Sequence, residues 1–108
     1  MNYCSYMQIS SHSNTEALIG AAAAFRLLSD PTRLSIICLL KKHKEGMCVY
    51  EIAEAVGISP SAASHQLGKL EDRGYVSSYR AGQSVCYRLT NTTKTKQLLT
   101  VLHAAHVR

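Results

Sequence analysis

The sequence predicts a mostly α-helical domain with one small β-hairpin, in the order α-α-α-α-β-β-α. Three observations carry this. Apolar residues recur at helical spacing in four successive segments, punctuated by Asp-Pro, Ser-Pro and Gly signals. Two strand-like runs, Tyr75–Arg80 and Ser84–Leu89, flank Ala81-Gly82-Gln83, which is hairpin chemistry with a glycine able to take positive φ. A last apolar stripe then returns to helical spacing. At 108 residues the chain is long enough for one domain and not two.

Residues 1–13 are polar, Ser-rich and aperiodic, and read as a flexible N-terminal arm. The folded domain spans 14–108. Asn14 or Thr15 caps a first helix whose stripe is Ala17, Leu18, Ala21, Ala22, Phe25 and Leu28. Asp30 as cap with Pro31 at the first helical position starts a second helix. Leu34, Ile36, Ile37, Cys38, Leu39 and Leu40 make it apolar on most sides and therefore central, and Gly46 closes it. A short third helix, about Val49 to Val56, turns at Gly57. Ser59-Pro60 opens a fourth that runs to Asp72, with Ala63, Leu67 and Leu70 inward and Gly74 as stop. Beyond the hairpin, Asn91 caps a last helix carrying Leu98, Leu99, Val101, Leu102 and Ala105.

The third and fourth helices, joined by a tight glycine turn, have helix-turn-helix spacing, and the hairpin behind them is a wing. Ala53 is small where the two helices cross. The outward face of the fourth helix is polar and compact: Ser61, Ser64, His65, Gly68 and Lys69, with Gln66 beside it. Short hydroxyls at a helix N-terminus, Ser59 included, approach phosphates and base edges closely, and the helix dipole attracts phosphate. His65 and Gln66 suit base edges, whereas Lys69 and Arg73 suit phosphates. Arg80, Gln83 and Arg88 make the wing basic.

Charge agrees. Twelve Lys and Arg against seven acids leave +5, with a pI of about 9.2, which favours a polyanionic partner. This points to double-stranded DNA. A winged helix that binds protein instead would lack the basic wing and polar face. No paired carboxylates, nucleophile–base pair or phosphate-cradling glycine loop appears, so the chain does not read as an enzyme. No apolar window is long enough for a transmembrane helix and no secretory signal precedes the domain, so a cytoplasmic location without membrane contact is expected. There the four cysteines, Cys4, Cys38, Cys48 and Cys86, argue for metal binding, redox sensing or plain burial, and against a disulfide framework.

The run from Phe25 to Leu89 resembles the ArsR–SmtB family of metal- and stress-responsive repressors. The residues that carry the resemblance are Leu28-Ser29-Asp30-Pro31-Thr32-Arg33-Leu34, Glu51-Ile52-Ala53, Ser59 through Leu67, Leu70 through Val76, and Tyr87-Arg88-Leu89. The resemblance implies a homodimer joined by its first and last helices, seated on an inverted-repeat operator. Transcription is blocked until an inducer lowers the affinity.

For the inducer the resemblance offers several sites. Met47-Cys48-Val49-Tyr50-Glu51 looks like the family's Cys-Val-Cys segment for arsenite, cadmium or lead, with Tyr50 in place of the second thiol and Cys4 on the arm as a further candidate ligand. The alternative is an inert, partly buried Cys48. Relatives that sense persulfide or oxidants pair a second-helix cysteine with one in the last helix; this last helix has none, so Cys38 reads as a buried core residue. Cys86 has no obvious partner and reads as packing. His103 and His106 share a face and echo the late half of the family's zinc set, whose early half is absent. The competing version is a winged-helix regulator with no metal site, answering to redox state, another ligand or a protein partner.

Overall fold

The computed structural model describes the backbone of residues 12–105 and the side chains from Thr15 onward. Cys4, His106 and nearly all of the expected arm lie outside the described residues. The elements are α1 His12–Leu28, α2 Pro31–Lys42, β1 Met47–Cys48, α3 Val49–Val56, α4 Pro60–Asp72, β2 Val76–Ala81, β3 Ser84–Leu89 and α5 Thr93–Ala104. The expected order holds, with one addition. The two-residue strand β1 pairs antiparallel with β3, so the wing is a three-stranded sheet in the order β1-β3-β2. A two-residue strand has no readable period, and its partner arrives only with β3.

Local punctuation sets most boundaries. The Asp30 carboxylate accepts from the Thr32 N–H at 2.9 Å and Pro31 occupies the first turn of α2. α4 ends in a Schellman arrangement: the Tyr75 N–H donates to the Leu70 carbonyl, the Gly74 N–H donates to that of Glu71, and Gly74 has φ +85°. Two caps differ from expectation. α1 already contains His12 and Ser13, ahead of Asn14. Thr92, not Asn91, caps α5, its hydroxyl accepting from the Thr95 N–H at 3.2 Å. The reason is tertiary. The Thr90 hydroxyl is bound to the Gly74 carbonyl and to Thr95, which sets the chain's entry to the helix one residue later.

The core gathers Leu27 of α1, Ile36, Ile37 and Leu40 of α2, Ile52 and Ala53 of α3, Ala63, Leu67 and Leu70 of α4, Val76 and Tyr87 of the wing, and Leu98 and Leu102 of α5. α2 is central, as its all-round apolarity requires. Cys38, expected in the core, is only half-buried at its edge. α1 departs further. Ala24 and Leu27 are its buried residues, whereas Leu18, Ile19 and Phe25 are exposed at 44%, 66% and 58%. A helix that is apolar on two faces can bury only one within a single protomer.

Candidate nucleic-acid interface

α3 and α4 pack together, and Ala53 of α3 and Ala63 of α4 are both buried in the core, 2% and 0% exposed. With no side chain beyond Cβ, both let the helix axes approach closely. Gly57 turns the chain between them with φ +84°, a left-handed conformation that any Cβ disfavours. Ser59 then caps α4, its hydroxyl accepting from the Ala62 N–H at 3.1 Å. Leu67 and Leu70 anchor the opposite side of α4 in the core. The helix therefore presents a defined outward stripe.

That stripe carries most of the expected residues. Ser59, Ser61, Ser64, His65, Lys69 and Arg73 are all exposed. Gly68 continues the spacing of Ser61, Ser64 and His65 one turn further on. Gln66 sits apart. It lies three residues after Ala63 and four before Leu70, on the flank of the buried face. It is half-buried, and its amide oxygen is buried without a hydrogen-bond partner.

The wing is fastened to α4 by Glu71, whose carboxylate accepts from the Ser78 N–H at 3.0 Å and from the Ser78 hydroxyl at 2.8 Å. Its opposite face is held by the next residue, Tyr79, whose hydroxyl donates to the Glu45 carbonyl at 2.9 Å. In this register Arg80 faces Val85 and Arg88 faces Ser77, so the pleat places the two arginines on opposite faces of the hairpin. Arg80 shares its face with Ser78 and Tyr87. Arg88 lies on the other, its guanidinium 4.9 Å from the centre of the Tyr79 ring. Gln83 is at the exposed tip. Ser61, Ser64 and Pro60 of α4, Val49 and Tyr50 of α3, and Gln83, Ser84 and Val85 of the wing line one open cleft of about 470 Å³.

A polar helix, an open cleft and a basic hairpin on one side of a compact core form a winged helix-turn-helix. The model of the arsR family of bacterial regulatory proteins matches residues 30–78. The HTH-type transcriptional regulator NmtR of Mycobacterium tuberculosis is 35% identical over 96 residues, 87% of this chain and 78% of that protein. The chain belongs to the arsR family. Solved structures agree. The AntR antimony-specific transcriptional repressor superposes with a TM-score of 0.68 at 31% identity, covering 91% of this chain and 84% of AntR. The homodimeric winged helix-turn-helix domain Mb0332 from Mycobacterium bovis gives 0.70 at 26% identity, covering 91% and 89%. This arsR-family chain is a DNA-binding transcriptional repressor. Its family consists of transcriptional regulators, and no described helix is long and apolar enough to cross a membrane.

For the sensing half, the fold adds what sequence reasoning missed in this arsR-family protein. Cys86 does have a partner. It stands directly opposite Cys48 in the β1–β3 register and the two form a disulfide, with Cα atoms 3.7 Å apart. Met47-Cys48 and the alternation Val85-Cys86-Tyr87 were the available signals, but only the sheet register joins them. Cys48 also precedes α3 as its N-cap residue, where its own N–H donates to the Glu51 carboxylate at 2.9 Å. Among the described residues no group of three His, Cys, Asp or Glu stands ready for a metal. A disulfide sulfur is no thiolate donor, so a soft ion at Cys48 requires the reduced pair. His103 is exposed near the end of α5. Tyr50, 71% exposed beside Ser61 and Ser64, is a further candidate contact; in the sequence its only signal is its place in a segment that resembles a thiolate pair.

Proposed function

We propose that this repressor acts as a cytoplasmic homodimer on an inverted-repeat operator, which it leaves when an inducer reacts with or binds its cysteine thiols. The observation that carries the DNA half is the shared cleft: Ser61 and Ser64 open onto the same space as Gln83 of the wing tip. Ser61, Ser64 and His65 enter the major groove and read base edges. Ser59, Lys69 and Arg73 hold flanking phosphates, and Arg80 and Gln83 follow the backbone beside them. Arg88, stacked on the far face of the wing, and half-buried Gln66 contribute at the margin.

The dimer reading rests on α1 and α5. Leu18, Ile19 and Phe25 are large apolar residues in solvent. Ile19, Ala23, Gln97 and Val101 line a groove of about 640 Å³ between the two helices. A second copy of the chain suits such a face, because a two-fold contact is self-complementary; a homodimeric relative supports a dimer. For the inducer, a soft metal or metalloid (arsenite, cadmium or lead) at reduced Cys48, with Cys4 as the second donor, is the leading class; zinc at His103 and His106 is the other. The antimony-specific relative supports the soft-ion class.

A gel shift on DNA from upstream of the chain's own gene tests the reading. Wild type should give a specific shift that Ser64→Ala and His65→Ala weaken, and Lys69→Ala should lower the salt slope of the dimer by about two, one for each protomer. No specific shift at low salt refutes it. Titration with arsenite, cadmium, lead and zinc tests the inducer; equal weak binding by wild type and Cys48→Ser rules out the Cys48 site.

A further inference from the structure

We propose that Cys48 and Cys86 form a reversible thiol–disulfide site that couples the wing to the helix-turn-helix. The proposal rests on the DNA-binding reading above, but its chemistry is tested without DNA. Cys48 is the last residue before α3, the helix that carries the recognition helix α4. Cys86 lies in the middle of β3, and its neighbour Val85 lines the same cleft as Ser61 and Ser64. β1 and β3 are joined over only two residue pairs, Met47 with Tyr87 and Cys48 with Cys86. The bridge is therefore the covalent half of a very short ladder. Opening it leaves the wing held by hydrogen bonds and packing alone, able to shift against the reading helix; closing it pins both.

The two sulfurs are unequal. Cys48 is half-buried and Cys86 is 1% exposed. Cys48 stands at the N-terminal end of α3, which favours negative charge. It is thus the attacking thiol and Cys86 the resolving one. With a low-molecular-weight disulfide RSSR as oxidant, the Cys48 thiolate attacks one sulfur, forming a mixed disulfide and releasing RS⁻, which takes up a proton. The Cys86 thiolate then attacks the Cys48 sulfur, forming the intramolecular bond and releasing the second RS⁻. The protein loses two electrons and two protons, and RSSR becomes two RSH. Two thiols in excess reverse it. Compartments that hold DNA-binding regulators keep thiols reduced, so such a bridge responds to oxidant and is not a fixed staple.

The full-length chain is treated with oxidised glutathione and then with dithiothreitol. Mass spectrometry should show loss of two hydrogens and a peptide joining Cys48 to Cys86, reversed by the reductant. Cys86→Ala should trap glutathione on Cys48, whereas Cys48→Ser should leave buried Cys86 unmodified; Cys48→Ser, at the more exposed site, serves if the core variant does not fold. Amide exchange across 76–89 should slow on oxidation in wild type alone. DNA affinity should differ at least fivefold between the two wild-type forms and not in Cys48→Ser. A bridge to another cysteine, or no trapped glutathione on folded Cys86→Ala, overturns the site. A bridge that changes neither wing exchange nor affinity overturns the coupling. If the bridge forms and protects the wing but neither form binds DNA, the redox site stands and the DNA-binding reading falls.

Discussion

Gly68→Ala should make this repressor more stable and a poorer DNA binder. Glycine inside a helix costs about 0.5–1 kcal/mol relative to alanine, mostly through the entropy of the unfolded chain. Gly68 is interior to α4, and a Cβ built on it meets nothing within 4 Å. No packing term offsets the gain, so the full 0.4–1 kcal/mol or so should appear. For a domain near 100 residues 1 kcal/mol moves the melting temperature by about 4–8 °C, giving a rise of about 2–8 °C. Nothing inside the protomer therefore explains the glycine. It lies on the stripe of Ser61, Ser64 and His65, where a bare backbone lets DNA approach. Operator affinity should fall about tenfold, equivalent to 1.4 kcal/mol. Thermal melts at fixed protein concentration and in reductant, paired with DNA titration, check both signs. An unchanged or lower melting temperature refutes the open-space argument. A higher melting temperature with unchanged affinity refutes the reason given for the glycine.

Four further outcomes follow from the same geometry. Gly46→Ala should destabilise by about 2 kcal/mol or more in denaturant titration, because φ is +103° and the new Cβ would collide with the Tyr79 hydroxyl, displacing its bond to the Glu45 carbonyl. Ser59→Ala removes the α4 cap and should cost about 1 kcal/mol in the same titration. Burial raises the pKa of Tyr75, partly countered by Arg73, and burial with the Glu71 charge raises that of Tyr87. The folded state thus holds these protons more tightly than the unfolded chain. Their contribution is complete below the ordinary value near 10 and is lost as pH rises through the folded values, so stability should decline above pH 10, less steeply in Tyr87→Phe. Phe25→Asp should convert the dimer to monomer in sedimentation, with the helical signal of the monomer retained; a stable dimer in that variant would rule out the α1 face.

Much of the fold was legible because the signals are local. Asp30-Pro31, Gly57, Ser59-Pro60 and Gly74 each act on the backbone within a few residues, and each stands at the boundary it announces. The outward stripe of α4 was equally legible, since Ala63, Leu67 and Leu70 define the inward face by helical spacing alone. The same spacing already placed Gln66 on the flank of that face, a signal outweighed by the amide's suitability for reading bases.

The sequence by itself determined most helix boundaries, the recognition stripe and the basic balance, because capping, periodicity and charge need no distant partner; the start of α5 is one exception, set by the Thr90 contacts to Gly74 and Thr95. Only the tertiary structure decided the rest. Cys48 and Cys86 are 38 residues apart and meet because β3 returns to pair with a strand too short to have a period of its own. Arg80 and Arg88 part company because the hairpin register, not composition, assigns each to a face. The apolar side of α1 that looked like core is open because α2 and its neighbours have room to bury only Ala24 and Leu27 deeply. These contacts depend on where chain segments converge in space, a property that no local pattern encodes.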